Sequence, residues 1–309
     1  MPPVMLALNA MATRFELVLH GEDPARLRAA GEQALAEIER LETQLSLYRP
    51  SSEIARVNAR AAREPVRVSP PVFRLLKHAR QLHAETNGAF DIAIAPLVRC
   101  WGFMHGTGRV PESAELEEAR RRAGMTHVML DQQNFTVRFD EEGVMIDLGA
   151  IGKGYAVDCA AEMLREAGVA SALLHGGTST VYGLGRPPDA GGWKIPIASG
   201  PDESPSRAAV VLRDNALSVS AVWGKCFEAD GRKFGHVIDP RAGQPVNNAV
   251  MAAVVLPSAT ETDALSTALL VAGLEGHDAI ANLRPEMRTL VVAPAEQGSL
   301  AKARGIGLT

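Results

Sequence analysis

Apolar residues recur along this chain with two periods, and the switches between them mark out the elements. Residues 4–20 alternate, with Phe15, Leu17 and Leu19 set against Arg14, Glu16 and Val18, which predicts one strand ended by Gly21. Asp23-Pro24 supplies a cap and a proline at the first helical position. Leu27, Gly31, Ala34, Ile38, Leu41 and Leu45 then fall on one helical face. Pro50 disfavours helical geometry at Arg49, so that helix stops near Tyr48. Ser69-Pro70 opens a second helix carrying Val72, Leu75, Leu76, Ala79 and Leu82, closed by Asn87-Gly88. A charged helix is predicted over 111–124. Three consecutive antiparallel strands are predicted over 127–131, 134–139 and 144–148. Further strands fall at 172–174, 193–198, 208–212, 249–256 and 289–293, with loop through the rest of 186–206. A last helix starts at Glu261.

The stretch from Ile146 to Asp158 combines both periods. Val144, Ile146 and Leu148 alternate as in a strand; Gly149, Gly152 and Gly154 follow; Val157, Ala160, Ala161 and Leu164 then recur at helical spacing. Strand, glycine turn and helix start form an anion cradle, because backbone N–H groups and the helix dipole face the ligand. Lys153 adds a point charge. The glycine order is neither Gly-x-Gly-x-x-Gly nor a P-loop. A tight turn that needs glycine only for packing has the same pattern.

Composition narrows the partners. A chain of 309 residues, 46% hydrophobic, can bury one large core or two modest ones. Net charge is −4 with no basic cluster, which argues against nucleic acid. Cys100, Cys159 and Cys226 are far apart and odd in number, which fits neither a disulfide framework nor a zinc site. No apolar run reaches membrane-spanning length, and the first dozen residues lack the basic region of an export signal. A cytoplasmic location is the expectation.

Other candidate chemistry is scattered. Tyr48, at a helix end, reads as a rim residue or a stacking surface for a flat ligand. In Gly88-Ala89-Phe90-Asp91 an acid adjoins a core-type aromatic. His175-Gly176-Gly177 forms a second glycine turn, which a simple bulge would also explain. His236, three residues before Asp239-Pro240, suits a base or a phosphate contact, although a lone histidine is more often structural. Asp263 and Thr267 lie four apart on one helical face, a hard-oxygen pair that suits Mg²⁺. Helix capping by Thr262 or Asp263 is the plainer explanation.

Taken in order, these pieces resemble the FAD:protein FMN transferases, the ApbE family. The matching segments are Met11-Ala12-Thr13, Leu45-Ser46-Leu47-Tyr48 with Ser52-Glu53-Ile54, Gly88 to Asp91, Ile146 to Asp158, His236 to Pro240, and Asp263 to Thr267. The resemblance implies an α+β, T-fold-like architecture of mixed and antiparallel sheets with packed helices. It implies a single domain over residues 1–309, with the flavin site between two lobes if it divides. Met11, Tyr48, Ala89, Phe90, Asp91, Asp147, Lys153 and Ile238 then stand at FAD-contacting positions. The Ala150 carbonyl and the side chains of Asp263 and Thr267 stand at positions that hold a metal, usually Mg²⁺, with Ca²⁺ or Mn²⁺ as substitutes. The implied reaction transfers FMN from FAD to a threonine hydroxyl of an acceptor protein and releases AMP. That hydroxyl needs a proton acceptor, for which His236 ranks first, ahead of Asp147 and Asp263. The chain departs from the pattern of many relatives at Ser218-Val219-Ser220 and at Ala242, departures expected to bear on the acceptor side rather than the metal. An FAD pyrophosphatase and a non-catalytic flavin-binding protein are the alternatives on the same residues.

Overall fold

The first alternating run is two strands rather than one. Val4–Ala10 (β1) pairs antiparallel with Thr13–His20 (β2), and Met11 and Ala12 form the two-residue turn at φ 51° and 58°. Two consecutive left-handed residues give a hairpin turn whose twist matches its strands. Neither residue is asparagine or glycine, so the sequence carries no turn signal there. The computed structural model describes residues 2–104, 106, 108–197, 208–295 and 298–307. Ala198 and the rest of the expected loop through residue 206 lie outside the described residues.

After β2 come α1 (Pro24–Leu45), α2 (Glu53–Arg60), β3 (Val66–Arg67), α3 (Pro70–Glu85), α4 (Ala95–Cys100) and α5 (Ser113–Arg121). Then follow β4 (Val128–Asp131), β5 (Thr136–Phe139), α6 (Gly152–Glu166), β6 (Ser171–Gly176), β7 (Thr180–Leu184), β8 (Trp193–Ile197), β9 (Ala208–Leu212) and β10 (Asn215–Ala221). Short strands β11 (Cys226–Ala229), β12 (Arg232–Gly235), β13 (Ile238–Asp239) and β14 (Gln244–Pro245) precede β15 (Met251–Leu256). The chain closes with α7 (Ala259–Ala281), β16 (Arg288–Pro294) and β17 (Ser299–Arg304).

Eight strands form one antiparallel sheet in the order β1-β2-β6-β7-β10-β15-β16-β17, which is also their order in the sequence. Everything between β2 and β6, including α1 to α6, is one long excursion from that sheet. Helices α1, α6 and α7 lie side by side across one face. Their apolar stripes enter the main core; all six residues expected on the buried face of α1 are buried. The hairpin β8–β9 covers part of the other face through Trp193, Ile197, Val210 and Leu212. A third cluster joins Leu97, Trp101 and Phe103 to Ile238 and the β11–β12 hairpin. The fold is thus α+β, as expected. No described helix is long and apolar enough to cross a membrane.

The third strand expected at 144–148 is absent from the ladder. The small sheet is β3-β5-β4 instead, with the two-residue β3 in that place. Val144, Ile146 and Leu148 are still buried in alternation, so the pattern reports an extended backbone correctly. Its hydrogen bonds go elsewhere. The Asn58 side chain on α2 donates to the Ile146 carbonyl at 2.9 Å and accepts from the Ile146 amide at 2.8 Å, and the Asp147 amide donates to the Ile92 carbonyl at 2.7 Å. An amide side chain does the work of a neighbouring strand.

Candidate active site

The central turn is tied down within a few residues. The amides of Ile151 and Gly152 both donate to the Leu148 carbonyl, and α6 starts at Gly152. An α-helix leaves its first amides without helical partners. One of these, Gly154, donates to Asp263 Oδ2 at 3.0 Å. Asp263 is 4% exposed and sits on α7. Its other carboxylate oxygen has no hydrogen-bond partner among the described residues. Gly154 stands four residues after Ala150, so Asp263 reaches the first turn of the helix that follows the glycine turn.

Gly154 is required here by packing. A Cβ on it would lie 2.1 Å from the Ala259 carbonyl oxygen and 2.8 Å from Asp263 Cβ. None of Gly149, Gly152 and Gly154 has positive φ. Close approach requires glycine at Gly154, between the helices; at Gly149 a Cβ would crowd Asp147 Oδ1 at 3.1 Å, and at Gly152 it would meet only Leu148 at 3.7 Å.

The capping explanation for Asp263 fails on position. Helix α7 begins at Ala259, and Ser258 caps it by accepting from the Glu261 amide. Asp158 of α6 reinforces that end: its carboxylate accepts from Ser258 Oγ, the amides of Ala259 and Thr260, and Thr260 Oγ1 at 2.6–2.8 Å. Two reciprocal contacts therefore lock the helix starts together. Asp158 of α6 holds the start of α7, and Asp263 of α7 holds the start of α6.

Thr267 follows Asp263 by one turn. Its Oγ1 donates to the Asp263 carbonyl at 3.3 Å and lies 3.1 Å from Ser220 Oγ. Ser218, in the same strand, contacts Thr262 of α7 at 2.9 Å. The departure at Ser218-Val219-Ser220, expected on the acceptor side, thus packs under α7 and touches the proposed metal ligand. The donors offered near the turn are a carboxylate oxygen, a hydroxyl and backbone carbonyls. That hard-oxygen set fits Mg²⁺.

Charged groups gather around Asp147. Its Oδ1 accepts from the Gly149 amide at 2.8 Å, and Lys153 Nζ donates to the Gly149 carbonyl at 3.0 Å. Burial raises the Asp147 carboxyl above its ordinary range; the Gly149 hydrogen bond and the charges of Lys153 and Lys225 pull it partly back. Tyr48, 62% exposed, has its hydroxyl raised by desolvation and by the negative charge of Asp147. His236 belongs to the same group. Burial lowers its pKa, the bond to the Lys225 carbonyl offsets part of this, and the charges of Lys225 and Lys153 lower it further. The Lys225 carbonyl accepts from the His236 amide at 2.9 Å and contacts Nδ1 at 3.2 Å. A carbonyl can only accept, so Nδ1 carries the proton and Nε2 is left as the acceptor.

The remaining predicted residues lie in packed surroundings. Ala89 and Phe90 are buried in the main core and Ile238 in the third cluster. Asp91 is 6% exposed; its carboxylate accepts from the amides of Ala93 and Met125 and pairs with His83 Nδ1 at 3.0 Å. That bond raises the His83 pKa above its ordinary value. Met11 occupies the β1–β2 turn described above. Beside that turn, Gly177 has φ 69° and a Cβ on it would lie 2.2 Å from Thr13 Oγ1, so both the backbone conformation and the approach of the β1–β2 hairpin call for glycine. Sequence reading passed over Lys225, Asn58 and the pairing of Asp158 with Ser258. Of these, only Asp158 lay inside a recognised motif.

Comparison with known proteins gives the family and the fold. The model of the ApbE family matches residues 11–291. An FAD:protein FMN transferase of Vibrio cholerae is 32% identical over 266 residues, 84% of this chain and 78% of that protein. One from Treponema pallidum is 31% identical over 284 residues, 87% of this chain and 78% of that protein. The crystal structure of the ApbE protein from Thermotoga maritima superposes with a TM-score of 0.88 at 27% identity, covering 98% of this chain and 97% of that one. The flavinyl transferase ApbE from Pseudomonas stutzeri gives 0.86 at 30% identity, covering 98% and 95%. With a family match over nearly its whole length and a shared fold across 98% of its residues, this chain belongs to the ApbE family.

Proposed function

We propose that this protein transfers the FMN half of FAD to a threonine hydroxyl of an acceptor protein, with Mg²⁺ as the metal. The observation that carries the reading is the Asp263–Gly154 contact, which sets a carboxylate with one uncommitted oxygen at the glycine turn. Asp263, Thr267 and the Ala150 carbonyl would hold the ion, which would supply a Lewis acid for the pyrophosphate oxygens. Lys153 and the start of α6 supply positive potential for the same phosphates. Tyr48 offers an exposed ring for the flavin.

In the transfer, the acceptor hydroxyl oxygen forms a bond to the phosphorus on the riboflavin side. The bond from that phosphorus to the bridging oxygen breaks, and AMP leaves with its electron pair. His236 Nε2 takes the hydroxyl proton. A histidine held neutral by burial and by two nearby lysines is ready to accept at neutral pH.

The test is incubation with FAD, Mg²⁺ and a threonine-bearing flavoprotein acceptor, followed by denaturing electrophoresis and nucleotide analysis. The expected result is a fluorescent covalent flavin band with one AMP per flavin attached. FMN and AMP formed with no band would make the protein a pyrophosphatase. Intact FAD after prolonged incubation would make it a binding protein.

A further inference from the structure

Thr267 is held from beneath by the central sheet. Ser220 lies in β10, whose backbone is fixed by pairing with β15, Ser220 opposite Ala252. Its Oγ stands 2.9 Å from Ser266 Oγ and 3.1 Å from Thr267 Oγ1. Ser266 and Thr267 both donate to the Asp263 carbonyl, at 3.1 and 3.3 Å. A hydroxyl has one hydrogen to give and two lone pairs to receive with. With both α7 hydroxyls directed at the Asp263 carbonyl, the single Ser220 hydrogen is shared between the Ser266 and Thr267 oxygens, which both face it as acceptors.

We propose that Ser220 is a positioning residue for Thr267, fixing the hydroxyl in the rotamer in which it would serve as a metal ligand. The proposal rests on the Mg²⁺ site of the reading above. Without Ser220, Thr267 keeps only a long bond to its own helix, and its side chain is free to leave the coordinating rotamer. The Ser220 hydroxyl thus ties the metal site to a strand in the middle of the sheet, and hydrogen bonds behind ligands tune affinity strongly. Ser266 shares the same neighbours without being a ligand, which makes it the internal control.

Titration of the full-length protein with Mn²⁺, followed by the electron paramagnetic resonance signal of the free ion, separates the possibilities. Wild type, Ser220→Ala, Ser266→Ala and Thr267→Ala are compared, with thermal melting in the absence of metal as a second readout. The expectation is a roughly tenfold weaker site in Ser220→Ala, a larger loss in Thr267→Ala, and a clearly smaller change than either in Ser266→Ala, which removes a neighbour but no ligand. Wild-type affinity in Ser220→Ala beside a lost site in Thr267→Ala would overturn the role of Ser220 and leave the metal site standing. Equal losses in Ser220→Ala and Ser266→Ala, matched by equal drops in melting temperature, would also overturn it, since packing would then account for both. A wild-type protein with no Mn²⁺ site removed by Thr267→Ala would overturn the metal reading and this proposal together.

Discussion

The amide of Gly154 donates to the carboxylate of Asp263 across the junction of α6 and α7. Both partners are constrained. Gly154 has no room for a side chain beside Ala259, and Asp263 is almost wholly buried. Gly154→Ala would force a Cβ against backbone oxygen, which must move. Strain of this kind costs about 2–3 kcal/mol. Chemical denaturation should show that loss, and flavin transfer should fall with it because the turn and the metal ligand shift apart.

Asp158 is the other half of the lock. Its carboxylate satisfies four donors at the start of α7. Asp158→Ala strands them in a half-buried position, so the cost should be about 2 kcal/mol, at the upper end for a lost cap. Measured by urea unfolding, Asp158→Asn should recover only part of this, because an amide keeps one acceptor oxygen.

Glu261 gives the fold a pH signature away from the site. Hydrogen bonds from His78 and then Arg284 pull its carboxyl down to about 2 from 4.5. Arg284 also reaches Glu85 of α3, so this network ties α7 to α3. A depressed carboxyl stabilises the fold fully above its unfolded pKa and loses that contribution as pH falls from 4.5 through about 2. The contribution should be on the order of 2–3 kcal/mol. Glu261→Gln should flatten the acid limb of the stability profile; an unchanged limb would refute the assignment.

His236 should shape the acid side of the rate profile. Its folded pKa lies below the ordinary 6.5, so the base is already neutral at pH 7 and raising pH adds nothing through this group. Transfer should fall only as pH drops through the depressed value. Protonation there also destabilises the fold, since the unfolded histidine binds its proton at higher pH. His236→Gln should lower kcat by roughly 10²–10⁴-fold, the usual worth of a positioned base, with little change in KM for FAD. A rate limb centred above pH 7 would mean that another group titrates.

Much of this architecture was legible because burial and period agree. The face of α1 and the stop at Asn87-Gly88 follow from apolar spacing and cap chemistry, whereas the turn helix, expected from Tyr155, begins at Gly152 with no side-chain cap. The failures have two causes, side chains that take over backbone hydrogen bonding and left-handed turns at residues without a turn signal. Where side chains take over backbone hydrogen bonding, local pattern cannot see it. Asn58 stands in for a strand beside Ile146, and Met11-Ala12 turn the chain without a turn residue. The site was readable as scattered motifs, but its assembly was not. Nothing in the local sequence says that Asp263 reaches Gly154, that Asp158 caps α7, or that Ser220 lies under Thr267. Those contacts are set by how α6 and α7 cross the sheet.

The most direct test of the site is the initial rate of covalent flavin transfer from FAD, measured across Mg²⁺ concentrations for wild type and Asp263→Asn. The substitution keeps the size of the side chain and an oxygen for the Gly154 amide while removing the charge that would hold the ion. The expected result is a saturable dependence on Mg²⁺ in wild type and a rate at least about 10²-fold lower in Asp263→Asn at every concentration, the scale of losing a charge-stabilising group. Wild-type rates and an unchanged Mg²⁺ response in Asp263→Asn would contradict a metal site at the junction of the two helices.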